Sequence, residues 1–279
     1  MSQAPRVSAI VVHYRAEQYL DRCLDALARA GERIPLETIV VDNASLRDVA
    51  AWRERYPQIV WLVQASNRGF ASGVNVGLGR ATGTYVLIQN PDAWLLDGSL
   101  ERLVQRLDEA PQVAAVTPQL IDDRGSPQPS GGAAPTLTRI LAGKAALAAR
   151  RVADTRTPTS TTAVQLDWAS ATALLCRRSA LDDIGGMDEG FFLYYEDCDL
   201  GLRLRRRGWR IELMPLATAV HVGGASFALN TDVQRRAYRA GQDRYFRKHR
   251  RPLERLALTI LRPVYERLGV RNSLYGRHL

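Results

Sequence analysis

The sequence predicts an α/β protein with a mostly parallel central sheet flanked by helices, followed by a basic helical C-terminal extension. Three observations carry that prediction. Short β-branched runs alternate with stretches of helical period through the first half, each run ends in polar, turn-prone residues, and the charge changes sign along the chain.

Residues 7–12 and 37–41 read as buried strands, and 17–30 between them places Leu20, Leu24 and Leu27 on one helical face. This makes a βαβ unit. The pattern repeats with 46–56 as helix, 59–63 as strand, 71–80 as helix and 85–88 as strand, which extends a parallel sheet. Open sheets of this kind bind ligands beyond the carboxyl ends of their strands. Here those ends carry His13-Tyr14, Asp42 to Ser45, Asn67 to Phe70 and Gln89 to Asp92. Any one of these polar residues reads as a helix cap or turn residue, but four sets in register point to a ligand cleft.

Composition sets the bounds. At 279 residues, 46% hydrophobic and 24% charged, the chain is of ordinary globular make-up. No apolar run is long enough to span a bilayer, and the N-terminus enters a strand pattern without a basic leader, so a cytoplasmic start is expected. Cys23, Cys176 and Cys198 form no CxxC pair and read as reduced thiols. From Arg203 onward there are 18 Lys or Arg against 5 Asp or Glu, whereas the preceding residues hold 20 against 24. The net charge of +9 therefore belongs to the tail, and nearly all of it is arginine. Nucleic acid, anionic lipid or an anionic substrate would each suit such a tail. The tail lacks the regular aromatic interleaving of stacking platforms, and its charge is expected to sit apart from the cleft, which speaks against nucleic acid.

One further cluster stands out. Phe191, Phe192, Tyr194 and Tyr195 run directly into Glu196, Asp197 and Asp199 at the start of a basic helix. Burial beside rings raises a carboxyl pKa and nearby arginines lower it, so a general base could be tuned here, while an acidic helix start complementing the helix dipole explains the same pattern.

These motifs taken together, namely VVHY (11–14), VVDNAS (40–45), NRGFASGVNVG (67–77), QNPDAWL (89–95), IGGMDEGFFLYYEDCDLGLRLRRRGW (184–209) and HVGGAS (221–226), resemble the inverting nucleotide-sugar glycosyltransferases of family 2, with a Rossmann-like GT-A fold. The NPD, MDE and EDCDL elements look most like the branch with bacterial rhamnosyltransferases. The resemblance implies a GT-A catalytic domain over 1–228, with a nucleotide-sugar half near 1–120 and an acceptor half near 121–228, before a basic extension over 229–279.

It also implies roles. Such an enzyme neutralises the leaving diphosphate with a divalent cation, Mg2+ or Mn2+, and deprotonates the acceptor hydroxyl with a carboxylate. Asp92 corresponds to the metal-binding carboxylate of a DXD-like element whose first position is Asn90 here, and His221 is the second candidate metal ligand. Asp42 corresponds to the carboxylate that meets the nucleobase or ribose, with Tyr14 packing beside it. Asn67, Arg68, Gly69 and Asn75 lie in the loop and helix start under the nucleotide. Asp197 aligns with the general base, and Glu196 would orient or cap it. Asp199 either reaches the acceptor or pairs with Arg203. Trp168 either stacks on an acceptor sugar or belongs to the core, and Ala171 stands where the family usually has glycine.

The implied partners are a nucleoside-diphosphate sugar, with dTDP-rhamnose the leading guess, and a saccharide or lipid-linked saccharide acceptor in cell-surface polysaccharide synthesis. A sugar nucleotidyltransferase is the alternative enzyme class, although residues 7–15 lack its glycine-rich, lysine-bearing signature. Two regions fall outside the motifs. Residues 122–135 and 153–162, with helical character over 137–151, read as an excursion beside the acceptor site. The apolar-basic stretch 253–268 reads either as an interfacial helix at an anionic membrane or as a helix packed on the catalytic domain.

Overall fold

The computed structural model describes residues 4–45, 49–140, 161–223 and 231–267. In chain order the strands are β1 Val7–His13, β2 Leu36–Asp42, β3 Val60–Val63, β4 Tyr85–Gln89, β5 Ala93–Leu95, β6 Val113–Ile121, β7 Pro127–Gln128, β8 Gly131–Gly132, β9 Val164–Leu166, β10 Trp168–Ala169, β11 Ala173–Arg177 and β12 Arg210–His221. The helices are α1 Glu17–Gly31, α2 Ala50–Arg55, α3 Phe70–Leu78, α4 Ser99–Glu109, α5 Arg178–Asp183, α6 Glu196–Arg206, α7 Thr231–His249 and α8 Pro252–Arg267.

The main sheet runs β3-β2-β1-β4-β11-β6-β12-β5. Its first four strands are parallel, β11 is antiparallel between β4 and β6, and β12 is parallel to β6. Both faces are covered, which explains why β1 reads as a continuous apolar run rather than an alternating one. Val7, Ala9 and Val11 pack with Leu20, Leu24 and Leu27 of α1 and with Leu100, Leu103 and Leu107 of α4. Ile10 and Val12 turn to the opposite layer with Val74 of α3, Leu181 of α5 and Leu200 of α6.

The expected strands of the first half all form, with ends within one or two residues of those read from the sequence. The helix expected over 46–56 is observed as the shorter α2, residues 46–48 lying outside the described set. Residues 122–135 are tied down rather than looping free. Asp122 Oδ1 accepts from Arg124 N and Ser126 N, β7 pairs with β6, and β8 pairs with β10. Residues 141–160, the remainder of that expected excursion, lie outside the described residues.

The first helix of the expected basic extension packs against the segment that carries the acidic cluster. On α7, Gly241 meets the turn before α6 so closely that a Cβ there would stand 2.3 Å from Tyr194 O. One residue on, Gln242 Nε2 donates to Tyr195 Oη at 2.9 Å, and Tyr238 Oη lies 3.2 Å from the same oxygen. Arg244 and Lys248 reach Asp188, and Lys248 and His249 reach Asp199. The expectation that the tail's charge sits apart from the cleft therefore fails for these three side chains. Opposite charges draw the helix onto the acidic cluster, and glycine lets the backbones touch. Among the described residues no helix is long and apolar enough to cross a membrane.

Gly241→Ala should force the two backbones apart. The expected cost is roughly 1–3 kcal/mol of unfolding free energy, as for other overpacked contacts, read from urea denaturation.

Candidate active site

Sheet register builds the first part of the site. Strand β5 runs antiparallel to β12 with Ala93 opposite His221, which brings the preceding residue, Asp92, beside the imidazole. Asp92 is buried, and its Oδ1 lies 3.8 Å from His221 Nε2. The other face of the ring is fixed by Gln128, whose Nε2 donates to His221 O at 2.9 Å and whose Oε1 lies 2.9 Å from Nδ1. A neutral imidazole bonded in this way carries its proton on Nδ1 and turns Nε2 toward the carboxylate.

Two acceptors facing each other repel unless a proton or a cation lies between them. A carboxylate oxygen with an imidazole nitrogen suits Mn2+ and also Mg2+. Among the described residues no third Asp, Glu, His or Cys joins them as a ligand group. Water and substrate oxygens would complete such a site, as is usual where a cation works on a phosphate group.

The donor side lies at the ends of β1 and β2. Asp42 is buried beside His13 in the β1–β2 register, and its Oδ1 accepts from Ser45 N at 3.2 Å. Burial lowers the His13 pKa, against the opposing pull of Asp42 and Glu17. Tyr14 is half-buried, with the Arg15 guanidinium 5.1 Å from its ring centroid. Asn67 Oδ1 accepts from Gly69 N, and Asn43 Nδ2 donates to Gly69 O. Gly69 has φ +94°, and a Cβ there would stand 2.5 Å from Phe192 O, which accepts a hydrogen bond from Phe70 N. The close approach that requires this glycine is to the 191–195 loop. Asn90, half-buried, anchors its turn through N–H to Thr172 O.

Two residues expected on the donor side, Asn75 and Arg68, make contacts across this seam. Asn75 donates to Met187 O at 2.8 Å and accepts from Met187 N at 2.9 Å, so its amide fastens α3 to the acceptor side. That replaces the nucleotide contact expected of Asn75. Arg68 pairs with Glu189 at 3.1 Å while remaining well exposed.

The acidic cluster opens α6 after Tyr194 and Tyr195, whose φ values of 68° and 69° are left-handed. Arg15 and Ala44 are the other non-glycine residues of this kind among those described, and they lie in the donor loops. All four flank the cleft, as backbone strain at functional sites tends to. Glu196 and Asp197 are both buried. Burial first, and then the negative charges of Asp197 and Asp199, push the Glu196 carboxyl well above the usual range, and its Oε2 has no hydrogen-bond partner among the described residues. Ionisation of Glu196 is thus disfavoured by its burial and its acidic neighbours. Asp197 Oδ1 accepts from Cys198 N at 2.7 Å. The Tyr194 phenol, raised by burial, lies in the field of both Glu196 and Asp92, which links the acidic cluster to the Asp92–His221 pair.

Asp199 and Trp168 are corrected by their burial. Asp199 is fully buried and is met by three side chains, with Arg203 Nε at 2.7 Å, Lys248 Nζ at 2.7 Å and His249 Nε2 at 2.6 Å. It pairs with Arg203 as one alternative had it, and it does not face an acceptor. Trp168 is 3% exposed, packs with Phe191, Tyr195 and Tyr245, and donates from Nε1 to Ala133 O. It is a core residue, not a sugar platform. Gln128 is the site residue that sequence reasoning missed, because it lies 93 positions from His221 in a segment of loop-like composition.

The chain matches the family model described as glycosyltransferase like family 2 over residues 5–240. It belongs to that family. This glycosyltransferase is 32% identical over 236 residues to the N-acetylglucosaminyl-diphospho-decaprenol L-rhamnosyltransferase of Mycobacterium tuberculosis, covering 76% of this chain and 74% of that one. It is 24% identical to a low-salt glycan biosynthesis hexosyltransferase, Agl10, of Haloferax volcanii, covering 77% and 66%. Among solved structures it resembles GalNAc-T7 with UDP, GalNAc and Mn2+ (TM-score 0.61, 13% identity), covering 78% of this chain and 44% of that one. It also resembles a mannosyltransferase from Pyrobaculum calidifontis with GDP-Man and Mn2+ (TM-score 0.56, 21% identity, covering 93% and 65%). These likenesses give the transferase its GT-A fold, the expected mostly parallel sheet flanked by helices.

A pH dependence follows from the buried carboxylates of the transferase. Burial works to raise Asp188 and Asp199, but Lys248 and Arg244 on the first, and His249, Lys248 and Arg203 on the second, hold both below the usual range. Their contribution to stability is therefore complete above the unfolded-state pKa of about 4 and is lost as pH falls through the lower folded values. In urea titrations across this acid range, Asp199→Asn should be less stable than wild type at neutral pH and show a flatter acid limb.

Proposed function

We propose that this enzyme transfers L-rhamnose from dTDP-rhamnose, with inversion, to a hydroxyl of a lipid-linked saccharide in cell-surface polysaccharide synthesis, at the cytoplasmic face of the membrane. The observation that carries the chemistry is the Asp92–His221 pair at 3.8 Å, and the acidic cluster is near enough that Glu196 and Asp92 both act electrostatically on the Tyr194 phenol. The choice of sugar and acceptor is supported by the Mycobacterium tuberculosis relative, whose name specifies both.

The geometry is compatible with the following roles. Asp42 and Tyr14 flank the pocket for the nucleoside, and Asn67, Gly69 and Asn90 shape the turns beside the diphosphate. Arg68 is exposed enough to leave Glu189 for a phosphate. Asp92 and His221 would hold Mn2+ or Mg2+, and a cation there neutralises the charge gathered by the departing diphosphate. Gln128 fixes the ring so that Nε2 presents its lone pair. Asp197 takes the proton from the acceptor hydroxyl as the new bond forms. Burial and the neighbouring carboxylates push the Glu196 carboxyl up, which favours Asp197 as the member of the pair that acts as base.

Three measurements test this assignment. Nucleoside diphosphate with Mn2+ should raise the melting temperature of the wild type and leave Asp92→Ala unmoved; equal stabilisation of the variant would remove Asp92 from the site. Asp197→Asn should keep that shift and lose transfer by roughly 10²–10⁴-fold, and unchanged turnover would exclude it as the base. Gln128→Ala should weaken Mn2+ binding by roughly 10–100-fold. Slow hydrolysis across dTDP-, UDP- and GDP-sugars identifies the donor, with dTDP-rhamnose expected fastest.

A further inference from the structure

Helix α8 has two unlike sides. Leu258 is buried with Tyr245 and Phe246 of α7, and Arg262 is bound to Asp243 and Gln242. Leu253, Leu256 and Ile260, spaced i, i+3 and i+7, form a row on the opposite side at 78%, 57% and 63% exposure. Leu261 and Pro263 are exposed too. Among the described residues eight large apolar side chains are exposed, and four of them stand on this one helix. Scattered apolar residues on a surface are ordinary, but a contiguous row is a contact surface without its partner.

The charge around the row says what kind of partner fits. Residues 231–267 carry 11 Lys or Arg against 4 Asp or Glu. Arg236, Arg247, Arg251 and Arg255 are all exposed. A row of leucines set among arginines is the pattern of a helix that lies in a bilayer interface, with apolar side chains entering the acyl boundary and cations meeting anionic headgroups. A second copy of this chain would set one basic surface against another, which like charges oppose.

We propose that the Leu253–Leu256–Ile260 face of α8, with Arg251 and Arg255, docks on an anionic lipid bilayer. This rests on the reading that the acceptor is lipid-linked, and it supplies the geometry that such an acceptor needs. Helix α8 is fastened to α7, and α7 grips Asp188 and Asp199 on either side of Asp197. Bilayer, α8, α7 and catalytic loop form one mechanical series, which holds the acceptor pocket at a fixed place relative to the surface where a lipid-linked sugar is presented.

The test is co-sedimentation of the full chain with vesicles of phosphatidylglycerol and, separately, of phosphatidylcholine. The wild type should bind the first, weakly or not at all the second, and less as salt is raised. Leu253→Ser/Leu256→Ser/Ile260→Ser should lose roughly tenfold or more in vesicle affinity, and Arg251→Gln/Arg255→Gln several-fold. Both variants should keep the nucleoside-diphosphate melting shift and transfer to a water-soluble acceptor, while transfer to a vesicle-borne acceptor falls. Wild-type binding to phosphatidylglycerol by the triple variant overturns the proposal. So does a wild-type dimer that the triple variant converts to monomer with no change in vesicle binding. If the wild type binds vesicles but transfers rhamnose to no acceptor, the functional reading falls and the docking surface stands.

Discussion

The arrangement of this site depends on one buried charge. Asp199 has no contact with solvent, and an isolated carboxylate so placed would cost several kcal/mol. It is stable there because Arg203 reaches it from within α6 while Lys248 and His249 reach it from α7. The cluster can therefore be buried only when α7 is docked, and docking of α7 in turn fixes Tyr195, Asp188 and the loop between them. Part of what looks in the sequence like a charge-dense tail is the helix that encloses this acidic cluster.

A second constraint, independent of the first, comes from strand pairing. Asp92 and His221 are far apart in sequence, and the antiparallel contact of a three-residue edge strand with the end of β12 brings them together. Gln128 completes the arrangement from β7, another short strand. The acidic cluster is held by charge and the Asp92–His221 pair by backbone register. Mutations on α7 should then disturb the acidic cluster without disturbing the pair.

Much of this was legible in the sequence and some was not, for definite reasons. The parallel strands were visible because burial on both faces makes each an uninterrupted β-branched run, and Asp92, His221, Glu196 and Asp197 stood out by their motifs. The pairing of Asp199 with Arg203 was open to reading from their i, i+4 spacing, but its burial was not, because its other partners, Lys248 and His249, lie in a different helix and nothing local marks them. Asn75 and Gly69 looked like nucleotide contacts since glycine and asparagine at a helix start suit a phosphate equally well; only the tertiary fold shows that their close neighbour is the 187–192 loop. Trp168 was ambiguous for the same reason: a tryptophan in an apolar segment carries no sign of which side faces water.

The paired left-handed tyrosines have a consequence for the order in which the protein becomes competent. Each such residue costs on the order of 1–3 kcal/mol unless its surroundings impose it. The surroundings here are Tyr238, Gly241 and Gln242, more than forty positions further along the chain. A ribosome therefore delivers the turn well before it delivers what holds it. The nascent sheet can fold with the turn still slack, so the polypeptide gains its chemistry only when nearly all of it has been synthesised.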